Sequence, residues 1–217
     1  MQGLLSWYQI VQYLVRAVVV LIAIPFHEAA HALVSHWLGD DTALRAGRLS
    51  LNPVRHFDPL GALCMLVGGV GWARPVSVNP RNYRNPKVGM AISAAAGPVS
   101  NFLLAWVSMI LYKLVFYSGL SQQVFVLTIF LYDMVVMNIS LAVFNLIPVP
   151  PFDGSRIALL FLPPRLYFRA MRYERTIMLA VLLLVFLGVL NGPLSIAVNF
   201  LWNRLLDLTG FVELFWG

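Results

Sequence analysis

The sequence predicts an all-α polytopic membrane protein: a core of three transmembrane helices, a membrane re-entrant element and further C-terminal helices. Three observations predict it. Hydrophobic residues make up 60% of the 217 and charged residues only 11%, against about 25% charge in a soluble domain. Three apolar runs, Trp7–Leu38, Met90–Tyr117 and Val124–Ile147, exceed the ~20 residues that a helix needs to cross a bilayer core. Between the first and second runs, and again between the third and a fourth at Thr176–Asn191, stand 12 of the 15 lysines and arginines. The positive-inside rule places both basic connections in the cytoplasm and the N-terminus outside. The net charge of +6 therefore serves insertion and contact with anionic lipid, and implies no nucleic-acid partner. The expected organisation is one integral membrane domain over 1–217, with a core of about 8–155 and C-terminal helices over about 156–217.

The first run opens without a basic cluster or a small-residue cleavage site, so no removable signal peptide is expected. Its second half carries His27-Glu28-Ala29-Ala30-His31. On a helix, positions four apart share a face, so both imidazoles can close on a single Zn²⁺, with Glu28 beside the ion as a general base. Burying three ionisable groups among Ala, Leu, Val and Phe costs several kcal/mol unless they are paired or metal-bound, which argues against a chance match. From Tyr8 to His27 the helix covers ~28 Å at its usual rise, so the motif lies near the cytoplasmic end. Pro25 lacks an N–H and crowds the carbonyl four residues back, and a kink is expected there.

The connection 39–89 holds a second apolar stretch, Pro59–Trp72, with four glycines and the single cysteine, Cys64. Fourteen residues are too few to span, and a crossing would put the two ends of the connection on opposite sides. A re-entrant, partly extended element is expected, and such backbone is tolerated only against protein or a wet cavity. Cys64, flanked by Leu63, Met65 and Leu66, reads as buried filler.

In the second run Ser93, Gly97 and Asn101 recur every four residues, a narrow stripe that lets another helix approach closely; a role for Asn101 on substrate backbone is the weaker alternative. The third run carries Asp133 at nearly the depth of Arg16 in the first, and mid-span charges predict a pair between them. Lys113, nearer a helix end, is expected to snorkel to the headgroups. After the third run come Pro148, Pro150 and Pro151, expected to hold an extended segment that ends at Asp153. Gly154 allows a tight turn after that carboxylate. A fourth run, Thr176–Asn191, is near the short limit for spanning. The last, Pro193–Trp216, is broken by Asn199, Asn203, Arg204, Asp207 and Glu213, and reads as an interfacial or tilted helix, with spanning as the alternative.

Two histidines do not complete a zinc site. The candidates for a third ligand are Asp40, Asp41, Asp58, Asp133, Asp153, Glu174, His36 and His56. His36 falls on the opposite helix face from His27. His56 and Asp58 belong to a polar loop that reads as solvated. Asp153, held by its prolines at the end of a spanning helix, is better placed.

Three motifs in one order carry a resemblance: His27-Glu28-Ala29-Ala30-His31; Ala96-Gly97-Pro98-Val99-Ser100-Asn101; and Asn145 through Gly154, with Pro148, Pro151 and Asp153 in step. Together they resemble the site-2 protease family of intramembrane zinc metalloproteases over roughly residues 8–190. The resemblance implies His27, His31 and Asp153 as ligands to one Zn²⁺, Glu28 as the base, and Asn145 as a polar group near the reacting carbonyl. No PDZ or CBS segment is recognisable, so a minimal member is expected. The activity implied is hydrolysis of peptide bonds in transmembrane segments of single-pass membrane proteins, at the cytoplasmic boundary of the cell membrane. A non-catalytic membrane chaperone or adaptor is the rival reading, and Glu28 weighs against it, since a structural zinc prefers a fourth protein ligand. A zinc transporter would need more acidic or histidine groups through the spans than Asp133 alone.

Overall fold

The computed structural model describes residues 6–56, 58, 74–158, 160, 161, 163, 166 and 172–215. The expected re-entrant stretch Pro59–Trp72 lies outside them. Among the described residues the regular structure is helical throughout, with no strand. Helix α1 (Trp7–Trp37) is followed by the single turn α2 (Thr42–Arg45). Then come α3 (Pro86–Tyr117), α4 (Phe125–Asn145), the short α5 (Asp153–Ala158), α6 (Glu174–Phe186) and α7 (Asn191–Leu208). By length and composition α1, α3 and α4 can each cross a membrane, matching the three long apolar runs.

Local sequence sets the ends of these helices. Ser6 and Gln9 form a reciprocal capping box at the start of α1, satisfying donors that would otherwise face lipid or headgroups unpaired. The helix continues through Pro25 without a break. It stops at Gly39, whose φ of 98° folds the chain back so that Asp40 N–H reaches Ser35 O at 3.0 Å. Asn85 caps α3 through Val88 N–H, with Pro86 in the first turn, where its missing N–H costs nothing.

The three spans pack against one another, and α4 carries the core on two faces. Met134 meets Val15 and Val19 of α1, while Val135, Ile139 and Val143 meet Ala105 and Met109 of α3 and Leu205 of α7. At mid-depth Arg16 Nε of α1 stands 3.7 Å from Asp133 Oδ2 of α4, so the expected pair forms.

The C-terminal third differs from expectation. Helix α6 has 13 residues, ~20 Å of rise, too short to cross a ~30 Å core. A turn at 187–190 then starts α7 beside the final turn of α4, where Pro193 and Leu194 face Val143, Leu146 and Ile147. From there α7 runs antiparallel to α4: Trp202 packs on Tyr132 with ring centroids 5.8 Å apart, and Leu205 enters the α3–α4 core. At its far end Lys113 Nζ donates to Leu206 O at 3.2 Å and to Glu213 Oε1 at 2.6 Å. So α7 packs along α3 and α4, from the final turn of α4 to Lys113 of α3. Lys113 does not snorkel; its side chain is 6% exposed, because α7 and the 3₁₀ turn Gly210–Phe215 close over it and supply its counter-charge.

Between α4 and α5 the proline segment turns rather than extends, with Val149 N–H donating to Ile147 O and Phe152 N–H to Val149 O. Gly154 serves close approach, not a special backbone angle: a Cβ there would fall on the carbonyls of Leu146 and Ile147. The turn is thus folded tightly under the end of α4, and Asp153 becomes the first residue of α5.

Candidate metal centre

Helix α1 presents His27 and His31 on one face, both buried. Helix α3 lies directly against that face, because a Cβ at Gly97 would fall on both imidazoles. One turn to either side of Gly97, α3 supplies the groups that orient them. His27 Nδ1–H donates to Asn101 Oδ1 at 3.0 Å, and His31 Nδ1–H donates to Ser93 O at 2.7 Å. A carbonyl can only accept, so these bonds place the proton on Nδ1 and leave the Nε2 lone pair of each ring free.

Both lone pairs point at the same place. The two Nε2 atoms are 3.0 Å apart, the rings are nearly perpendicular at 86°, and Asp153 Oδ2 lies 3.2 Å from each. Three electron-pair donors so close together, with Asp153 Oδ2 buried and lacking a hydrogen-bond donor, repel one another unless a cation sits between them. Two ligands at ~2.0–2.1 Å from a tetrahedral zinc are about 3.3 Å apart, so the triad fits one such ion. Among the described residues it is the one group of His, Cys, Asp or Glu side chains so placed.

Glu28, half-buried beside His27, accepts a hydrogen bond from Val76 N–H at 3.0 Å, which fixes one carboxylate oxygen. His36, His56, Asp40, Asp41 and Asp133 are engaged elsewhere. His36 pairs with Asp41 at 2.6 Å. His56 is buried rather than solvated, its Nε2–H donating to Ser50 O at 2.7 Å. Asp133 pairs with Arg16 and Asp40 accepts from the chain around it. Asp58 is not part of the triad. Asn145, half-buried at the end of α4, donates to Leu141 O at 2.9 Å.

Two roles went unseen in the sequence. The stripe Ser93, Gly97, Asn101 lets α3 approach α1 closely, as expected, and beyond that each member contacts His27 or His31. Its four-residue spacing equals that of His27 and His31, and this match was the available signal. The contact of Val76 with Glu28 left none, since it joins an extended segment to a helix far away in sequence.

Comparison with known proteins gives the family. A family model described as Peptidase family M50 matches residues 115–189. YwhC of Bacillus subtilis, named as a candidate zinc metalloprotease, is 40% identical over 157 residues, covering 68% of each chain. The chain belongs to peptidase family M50. A second relative, from Methanocaldococcus jannaschii and also named as a candidate zinc metalloprotease, is 31% identical over 69% of this chain and 72% of its own. A third, from Mycolicibacterium smegmatis, is 26% identical over 62% and 52%. No solved structure gives a significant match. As an M50 peptidase the chain is an integral membrane zinc metalloprotease of the site-2 protease type, and an ion of that kind is what the His27–His31–Asp153 geometry accommodates.

Proposed function

We propose that this protease cleaves peptide bonds in transmembrane segments of single-pass membrane proteins, close to the cytoplasmic face of the cell membrane. Its metal ligands would be His27, His31 and Asp153, its general base Glu28, and its N-terminus would lie outside. The observation that carries the reading is the convergence of His27 Nε2, His31 Nε2 and Asp153 Oδ2 at the end of a spanning helix, with Glu28 next in sequence. The basic connections between the spans support the orientation. Packing of α7 on α3 and α4 supports treating 1–217 as one domain.

Zinc, when bound, acts as a Lewis acid that polarises a carbonyl and brings the pKa of water toward ~7. The rest falls to the chain. Glu28 accepts a proton from the attacking water and later hands it to the leaving amine. Asn101 and Ser93 keep both imidazoles in the Nε2 lone-pair tautomer. Asn145 spends one amide N–H on Leu141 O, and its second N–H is the group proposed to meet the developing oxyanion. A continuous helix shields its carbonyls, so substrates need helix-weakening residues at the cleavage point. Detergent-reconstituted enzyme, assayed on single-pass proteins with and without such residues, tests this. Glu28→Gln at equal zinc content should lose about 10²–10⁴-fold in turnover, and full activity in that variant would end the proposal.

A further inference from the structure

We propose that Asp40 is a positioning residue for the reaction: it anchors the segment 74–79, whose Val76 N–H holds the Glu28 carboxylate in place. The proposal rests on reading Glu28 as the general base.

Asp40 is fully buried just past the end of α1, outside the spans. Its Oδ2 accepts from Asn79 N–H at 2.7 Å and from Ser35 Oγ–H at 3.2 Å. Its Oδ1 accepts from Asn82 Nδ2–H at 2.7 Å, from Thr42 N–H at 3.1 Å and from the Thr42 hydroxyl. So many donors on one buried carboxylate is more than a helix end requires. Two of them, Asn79 and Asn82, come from the far end of the 39–89 connection. That end is non-helical from 74 to 79 and is fastened at three points: Arg74 N–H to His56 O at 2.9 Å, Val76 N–H to Glu28 Oε2 at 3.0 Å, and Asn79 N–H to Asp40. Tyr83, next to the anchor, shares a 2.8 Å hydrogen bond with Ser35 Oγ and packs so closely on Gly89 that a Cβ there would overlap its ring. Asp40 thus ties the segment to α1, and Tyr83 ties it to α3. The middle of the segment delivers a single backbone donor to Glu28 Oε2, leaving Oε1 to receive the proton. A general base works only within hydrogen-bond reach of the proton it abstracts, and a carboxylate free to rotate is seldom there.

The test uses the full chain in detergent, with a fluorogenic peptide carrying one transmembrane segment and a central Asn-Pro pair as substrate. Asp40→Asn removes the charge that gathers the donors. Val76→Pro removes the one N–H that reaches Glu28 and leaves Asp40 untouched, so a folding failure in the first variant does not end the test. Each should lower kcat about tenfold, the scale of one charge-assisted hydrogen bond, with zinc content unchanged and KM within about twofold. In a Glu28→Asp background, where the shortened carboxylate no longer reaches Val76, neither change should lower kcat further. Unchanged kcat in Val76→Pro, or the same fractional loss in both backgrounds, overturns the positioning role. If Glu28→Gln itself keeps full turnover, it is the assignment of the base that fails instead.

Discussion

Arg16 and Asp133 join the first and third spanning helices at mid-depth, Nε to Oδ2 at 3.7 Å. Asp133 is buried and its Oδ2 has no hydrogen-bond donor, so the ion pair is its main compensation. Removing either partner strands the other in a low-dielectric setting. Arg16→Ala and Asp133→Ala should each lower thermal stability, and the double change should cost less than their sum, with a coupling of about 1 kcal/mol or more. A double-mutant cycle on melting in detergent measures it; additive effects would mean that the pair contributes nothing.

Asn101 holds His27 by its Nδ1–H. Asn101→Ala should weaken zinc binding about 10–100-fold, the usual cost of losing the group that orients a ligand histidine. Asn101→Asp keeps an acceptor at that point and should retain most of the affinity. Competition with a chromogenic chelator gives both constants.

Gly97→Ala should fold and yet fail to hold zinc. Alanine favours a helix by about 1 kcal/mol over glycine, so α3 itself gains, but the added methyl would occupy the space of both imidazoles. Metal analysis of the purified variant, beside circular dichroism showing intact helix, is the measurement; normal zinc would mean that α3 can move away.

Asp153→Ala should lose its zinc, whereas His56→Ala and Asp58→Ala should keep it. His56 Nε2–H is committed to Ser50 O, and neither residue belongs to the converging triad. Full metal content in Asp153→Ala would place the third ligand elsewhere.

Asp40 predicts an acid-sensitive step in stability. Burial pushes its carboxyl up, and the donors from Thr42, Asn79 and Asn82 more than reverse this, bringing it down to about 2. A group whose folded pKa is depressed adds stability above its unfolded value, near 4, and loses it as pH falls toward 2. Between pH 4 and 2 the wild-type melting temperature should therefore fall more steeply than that of Asp40→Asn. Parallel acid limbs in the two proteins would show that Asp40 is not the titrating group.

The parts of this molecule legible in the sequence are those written in local periodicity. Three apolar runs give α1, α3 and α4 to within a few residues, and the four-residue spacing of His27 and His31 gives two ligands on one face. The depth of Arg16 and Asp133 follows from a constant rise per residue, and so does their meeting. What stayed hidden depends on which elements touch. Lys113 looked able to snorkel because nothing in its own helix shows that Glu213 will close over it. The packing of the run Pro193–Trp216 on the bundle was hidden because its polar residues break the apolar pattern. In the fold Arg204 and Asp207 pair with each other at 3.3 Å while Leu201 and Leu205 reach the core. Val76 and Asp40 act through backbone and buried hydrogen bonds, which have no signature in residue type.

The proposed ligands of the metal centre are divided along the chain in a way that bears on how the enzyme is made. His27 and His31 leave the ribosome first, while Asp153 is translated only after α3 and α4 have been completed and can enter the bilayer. Gly97 and Asn101, which seat the imidazoles, also come later than the histidines they serve. A nascent chain with only α1 inserted therefore has two imidazoles without the partners that orient them and no carboxylate to complete the set. With these residues as the proposed ligands, the set can be complete only once the chain has been made through Asp153, after all three long apolar helices.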